Sequence, residues 1–136
     1  TLNAFVKAGT IKSIGLSNET PWGTMKYLET ATSNNLVRPV SIQNSYSLIH
    51  RSYEVAMSEI SLRENIGLLV YSPLAQGVLS GKYLDGKSPE GSRGNLFPRF
   101  IARYTGDGSL KAVKRYEEIA KKYGLTLSEM SLAFIN

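Results

Sequence analysis

An α/β chain built from repeated strand-plus-helix units is what three features of this sequence predict. Ile14, Ile42 and Val70 stand in apolar runs at intervals of 28 residues, the length of one strand and one helix joined by short loops. Between these runs apolar side chains recur at helical rather than alternating spacing. The third run, Leu68-Leu69-Val70-Tyr71, stops abruptly at Ser72-Pro73; proline removes a ladder donor and biases the residue before it away from helix, so the run reads as a buried strand. Strands repeated in this way are expected to lie parallel, because a helix-length crossover returns the chain to the same end of the sheet.

The elements follow in order. Thr1 to Ala8 reads as the tail of a helix, with Leu2, Phe5 and Val6 at helical spacing and Gly9 as its stop, which suggests that something lies upstream. Ile11 to Ser17 is expected to be the first strand. Thr20 can cap the next helix with Pro21 at its first position, where the missing N–H costs nothing, and Trp22, Met25, Leu28 and Thr32 are expected to share its inner face. Val40 to Gln43 reads as the second strand. A helix from Ser52 to Arg63 follows, with Tyr53, Ala56, Met57 and Ile60 inward. Gly67 opens the third strand. From Leu84 to Asp107 no period is visible, and a long loop inside a compact domain is usually functional. Leu110, Val113, Tyr116, Ile119, Ala120 and Tyr123 then outline an amphipathic helix ended by Gly124. Thr126 with Glu129 makes a capping box, and Leu125 with Met130 a hydrophobic staple, for a last helix running to Asn136.

The chain has 136 residues, 42% hydrophobic and 10% aromatic, which suits one globular unit with a single core. It has no cysteine and one histidine, so disulfides and thiolate or His-rich metal sites are excluded, and a reducing compartment fits. No apolar run approaches the roughly eighteen residues of a membrane span and the N-terminus does not resemble a signal peptide; a soluble, cytoplasmic protein is expected, with no membrane partner. A net charge of +5 and a pI near 9.5 admit an anionic ligand without demanding nucleic acid, which is not expected as a partner. The densest basic run, Lys111 to Lys122, also carries Glu117 and Glu118 and reads as a solvated helical face.

In a parallel (βα) array, ligands bind at the carboxyl ends of the strands. Here the strands end in Ser17-Asn18, Gln43-Asn44 and Tyr71-Ser72, so carboxamides, hydroxyls and one aromatic face are expected to converge. Such a set can bracket a flat polar ring bearing an amide, as nicotinamide does; Asn18 and Asn44 could instead close their own turns, and Ser17 could cap. The loop that follows carries Gly77, Ser80, Gly81 and Lys82, which would offer backbone N–H groups, a hydroxyl and a positive charge to a pyrophosphate. Neither G-x-G-x-x-G nor G-x-x-x-x-G-K-[ST] is present, so that loop lacks the spacing of a P-loop. His50 has no visible partner for general-base work. Tyr46, Tyr53, Tyr83 and Tyr104 read as packing residues. Arg93 is either solvated or an anion clamp.

At Gly15-Leu16-Ser17-Asn18, at Gln43-Asn44-Ser45-Tyr46-Ser47-Leu48 with Arg51 and Glu54, and at Tyr71-Ser72-Pro73-Leu74-Ala75-Gln76-Gly77 with Leu79-Ser80-Gly81-Lys82-Tyr83, the chain resembles the aldo-keto reductase superfamily. The branch it resembles contains bacterial reductases of the Tas type and, more distantly, the potassium-channel β subunits. The resemblance covers essentially the whole chain in the same order. It implies a (β/α)8 TIM barrel that uses NADPH to reduce a small aldehyde or ketone. It also implies that Ser17, Asn18 and Gln43 hold the nicotinamide carboxamide, that Tyr71 stacks on the ring, and that the loop through Ser72, Pro73, Leu74, Gly77, Ser80, Gly81 and Lys82 wraps the pyrophosphate. Arg93, in Gly91-Ser92-Arg93, matches a loop arginine that touches the cofactor in this branch, one residue out of register.

By the same resemblance, residues 1–136 correspond to barrel units five to seven plus the helix before strand eight, a partial barrel incomplete at both ends. The family's catalytic tetrad of Asp, Tyr, Lys and His belongs to the first four units, and no catalytic residue is assigned here. The chain is therefore expected to be part of an NADPH-dependent carbonyl reductase that has no turnover by itself. The alternative is a catalytically silent NADP(H)-binding regulatory module, or an inactive truncated gene product. Three parallel strands with open edges are expected to self-associate, or to pair with a complementing N-terminal half.

Overall fold

Three short strands carry the fold, β1 (Gly15–Ser17), β2 (Ser41–Ser45) and β3 (Gly67–Tyr71), hydrogen-bonded side by side in chain order and all parallel. They belong to a computed structural model that describes residues 1–136. The chain divides into two compact units, residues 1–45 with 52–71 and residues 46–51 with 72–136.

The first unit contains the sheet. Ile42, on the middle strand, is fully buried and lies opposite Leu16 and Leu68. The pairing offset is thus 26 residues, and Leu16 and Leu68, rather than Ile14 and Val70, flank Ile42. The first strand is shorter than Ile11 to Ser17. The amides of Thr10 and Ile11 donate to the Phe5 carbonyl at 2.9 and 3.4 Å, closing the end of α1 (Leu2–Lys7) instead of joining the ladder. The third strand is covered on only one face, since Leu69 is 55% exposed.

Between β1 and β2 runs α2 (Pro21–Ser33), begun by Thr20, whose hydroxyl oxygen accepts the Gly23 N–H at 3.0 Å. Its buried stripe is Thr24, Leu28 and Ala31. Trp22, expected inside, is 72% exposed with the Lys26 ammonium 5.9 Å from its ring, and Thr32 is exposed as well. The reason is that Thr24 packs inward, its hydroxyl donating to the Met57 sulfur at 3.8 Å, which turns the indole outward. The single helix expected from Ser52 to Arg63 is two pieces, a 3₁₀ turn at Ser52–Val55 and α3 (Met57–Glu64), broken by Ala56 at φ −149°. Asn65, left-handed at φ 53°, ends α3, and the Arg38 guanidinium fastens that end through Glu64 O at 3.0 Å and Glu64 Oε2 at 2.9 Å.

The second unit is built on Val78 and Leu79, both buried in the 3₁₀ turns of Ala75–Ser80, with Leu48, Ile101, Tyr104 and Val113 packed around them. The segment from Leu84 to Asp107 is structured after all. It holds α4 (Arg93–Leu96), capped by Ser92, and α5 (Pro98–Ile101), opened by proline, with 3₁₀ turns at Leu84–Gly86 and Ala102–Tyr104. Elements this short leave no periodic signature. In α6 (Asp107–Lys122), Val113 and Ala120 are buried, but Ile119 and Tyr123 are 38% and 71% exposed. Three of its basic residues are paired at the surface, Lys114 with Asp85 at 3.4 Å, Arg115 with Glu118 at 2.8 Å and Lys121 with Glu117 at 2.9 Å. Finally α7 (Leu127–Ala133) starts at the expected capping box. No helix is long and apolar enough to cross a membrane.

Candidate functional site

The sheet sets the first group of candidate residues. Ser17, Gln43 and Leu69 are register partners, and Tyr71 lies two residues beyond Leu69. Because register partners share a face and side chains alternate along a strand, Ser17, Gln43 and Tyr71 present one face at the carboxyl ends of three parallel strands. Ser17 and Gln43 are exposed and Tyr71 is half-buried. Asn18 follows immediately in a left-handed conformation, φ 54°. Its backbone N–H donates to Gln43 O at 2.9 Å and its side-chain amide to Ser17 Oγ at 3.2 Å, which ties the ends of β1 and β2 together.

Asn44 is the exception to the expected convergence. One residue on from Gln43, it points to the opposite side of the sheet. There it lines a cavity of about 490 Å³ with Asn18, Glu19, Ser45, Tyr53 and Met57. That cavity is polar at the strand ends and apolar toward α3, and Gln43 and Tyr71 are not among its walls.

In the second unit, the residues after β3 form a tight, left-handed path. Ser72, Ala75, Gln76 and Gly77 all have positive φ, at 54°, 47°, 58° and 93°. Non-glycine residues held in this region are costly and cluster at ligand-handling loops. The loop's amides, however, are largely engaged internally. Gly77 N donates to Leu74 O at 2.9 Å and Gly81 N to Val78 O at 3.1 Å, while the Ser80 hydroxyl donates to Gly77 O at 2.7 Å. These bonds shape the turn, in which Pro73 and Leu74 are half-buried. What faces outward is charge. The Lys82 side chain is exposed and folds over Gly77, where an added Cβ would lie 3.2 Å from Nζ.

Arg93 opens α4 and is exposed, and its guanidinium donates to Gln76 Oε1. Gln76 in turn donates from Nε2 to Ser72 Oγ at 2.9 Å. A relay from Ser72 through Gln76 therefore fixes a cation 17 residues downstream. The one signal that Gln76 carries in the sequence is a polar side chain between Ala75 and Gly77.

Tyr83 is buried, and its phenol oxygen accepts the Gly94 N–H at 2.9 Å. Burial alone pushes the phenol up, but the Gly94 N–H, Ser92 and the Lys82 ammonium together outweigh it and hold it below its ordinary value. His50 packs edge-on against Tyr104, ring centroids 6.2 Å apart, and its backbone pairs with Ser47 in both directions at 3.1 Å. Tyr46 packs on Phe134 at 5.4 Å, and the Tyr53 hydroxyl is paired with Ser61. No group of three or more His, Cys, Asp or Glu residues is arranged to hold a metal ion.

Chemically, the sheet face can pair an amide and stack a flat ring, while the loop can hold an anion with two cations. The model of the aldo/keto reductase family matches residues 1–136. The chain is 48% identical over 134 residues to the protein tas of Escherichia coli K12, covering 98% of this chain and 38% of that protein. It is 40% identical over 126 residues to an aldo-keto reductase of Babesia bovis, covering 90% and 44%. With an L-glyceraldehyde 3-phosphate reductase of E. coli O157:H7 it shares 30% over 136 residues, covering 96% and 38%. The chain thus spans about two-fifths of the length of these relatives.

Proposed function

The chain belongs to the aldo/keto reductase family, and from that premise we propose that it forms the cofactor-holding part of an NADPH-dependent carbonyl reductase. Residues 1–136 then correspond to units five to seven of a (β/α)8 barrel, with the helix that precedes strand eight. The observation that carries this reading is the common face of Ser17, Gln43 and Tyr71 at the ends of three parallel strands. Ligands of parallel α/β arrays bind at that end.

The residues of the sheet face fit a nicotinamide ring bearing its carboxamide. Gln43 and Ser17, with Asn18 anchored beside them, offer donors and acceptors that match a carboxamide, and Tyr71 offers a flat face for the ring. In the second unit, taken by itself, Lys82 lies against the bare α-carbon of Gly77 and Arg93 is held by Gln76, a pair of cations of the kind a phosphate would need. When bound, the cofactor would supply the hydride delivered to an aldehyde or ketone. The work of this chain is to bind the ring, orient one of its faces and neutralise the phosphates. It assigns no proton donor for the carbonyl oxygen; that role falls to the tetrad that resembling reductases carry in other barrel units.

Isothermal titration with NADPH tests the reading. Binding is expected, weakened about tenfold by Tyr71→Ala and by Gln43→Ala, each removing one stacking or paired amide contact. Binding untouched by both changes would overturn it. Oxidation of NADPH with a simple aldehyde by this chain alone, abolished by Tyr71→Ala, would overturn the division of labour.

A further inference from the structure

The cavity on the side of the sheet away from Gln43 holds polar groups that the fold does not use. All of its walls belong to the first unit, and it measures about 490 Å³, within the usual range of small-molecule sites. Asn18, Glu19 and Asn44 make its polar end, and Pro21, Val55 and Met57 supply apolar wall. Glu19 engages only Oε1, which accepts the Thr20 N–H at 2.8 Å; Oε2 takes no hydrogen bond. The half-buried carboxamide of Asn44 pairs with nothing in the chain. Asn18 donates from its amide nitrogen to Ser17 Oγ at 3.2 Å, which leaves its Oδ1 open. Three unengaged acceptors thus meet at one end of a cavity whose other end is apolar.

We propose that this cavity binds a primary ammonium group carried on an apolar stem. No lysine, arginine or histidine is among its walls, and the one formal charge there is the Glu19 carboxylate, which disfavours an anion. Pro21 and Met57 begin α2 and α3, and a helix start by itself attracts negative charge. Each of these starts already has its acid, Glu19 just before α2 and Glu59 in the first turn of α3. An ammonium brings three N–H donors and no acceptor, which suits three acceptors of which one is charged. Pro21, Val55 and Met57 then cover the stem. Glu19 and Asn44 take no part in the cofactor reading, and alternation along β2 puts Asn44 on the face opposite Gln43.

The same group comes from two sources, a free amine and the lysine side chain of a partner segment. Isothermal titration of the purified chain with cyclohexylmethylamine and with Nα-acetyl-lysine N-methylamide separates them. Cyclohexylmethanol and cyclohexanecarboxylate serve as the neutral and anionic counterparts.

At least one ammonium probe is expected to bind, at least about tenfold more tightly than either counterpart. Glu19→Gln keeps an acceptor for the Thr20 N–H but removes the charge, and should weaken that binding by about tenfold while leaving cyclohexylmethanol as it was. Asn44→Ala should weaken it by about threefold. Val55 is 87% exposed at the cavity, so Val55→Asp adds a second carboxylate at little cost to the fold and should tighten the ammonium by about threefold at low salt. None of these three side chains is buried, so circular-dichroism melts of the variants should match the parent. Tighter binding of cyclohexylmethylamine assigns the site to a free amine; tighter binding of the lysine probe assigns it to a partner's side chain. No binding of either ammonium at millimolar concentration, tighter binding of the carboxylate, or binding indifferent to Glu19→Gln overturns the proposal. NADPH, titrated into the parent, reads the other face of the sheet, so the two proposals can fail separately.

Discussion

Gly94 stands where a larger residue would collide. An added Cβ would lie 2.5 Å from Ile101 Cδ1 and 2.7 Å from Tyr83 Cε1, both on buried side chains, while its own N–H already bonds the Tyr83 hydroxyl. Gly94→Ala is therefore expected to lower stability by about 1–3 kcal/mol through overpacking, read as a fall in urea midpoint at constant slope. Tyr83→Phe removes the acceptor of that N–H together with the phenol's contacts to Ser92 and Lys82, and should cost about 1 kcal/mol or somewhat more. The left-handed residues of the loop make the opposite prediction. Ala75 is held at φ 47° although its side chain is fully buried and needs almost no room. Gly would adopt this backbone freely but would loosen the unfolded chain as well. Ala75→Gly should accordingly change stability by less than about 1 kcal/mol while Ala75→Val, β-branched at positive φ, is strongly destabilising.

Among the elements, α7 offers the sharpest pH dependence. The Glu129 carboxylate accepts the Thr126 N–H and the Thr126 hydroxyl, both at 2.7 Å, and Glu129 N–H returns a bond to Thr126 Oγ1 at 3.2 Å. The Thr126 backbone bond, then its hydroxyl, holds the carboxyl below its ordinary value. A carboxyl lowered in the folded state stabilises above its unfolded pKa, and that contribution is lost as pH falls through the lowered folded value. Protection factors of the amides in Leu127–Ala133, corrected for intrinsic exchange at each pH, should thus fall on acidification below the ordinary carboxylate range, and Glu129→Gln should flatten the dependence. Thr126→Ala removes a cap and should cost about 1 kcal/mol at neutral pH. This box was legible in the sequence because a cap is local chemistry, three residues from end to end, as Thr20 with Pro21 was for α2. Less local features were not. The inner stripe of α2 depends on Thr24 finding Met57 on another helix, so hydrophobicity alone favoured Trp22. The start of β1 depends on α1 claiming two amides. The pairing of Arg93 with Gln76 crosses a segment whose short helices leave no period to read. The face shared by Ser17, Gln43 and Tyr71 was readable, since equal repeats and two-residue alternation place them together wherever the strands are parallel.

At the scale of the molecule, β1 and β3 each pair with a single neighbour, so the sheet has two open edges and a face on which Leu69 is exposed. Open parallel edges beside apolar surface template further pairing. We expect concentration-dependent association in sedimentation velocity, reduced by Leu69→Lys; a single monomeric species up to high concentration would contradict this. The constant offset of 26 residues between paired strands has one more consequence. It makes the ligand-facing surface a matter of odd and even. One residue inserted after Ser41 would shift the parity of β2, sending the Gln43 carboxamide into the packed layer and turning Ile42 outward. The same insertion after Asn35, ahead of the strand, can be absorbed by the connection and leave every side chain where it was. Length variation in this lineage should therefore collect in connections such as that between α2 and β2, and strand counts should change only by twos.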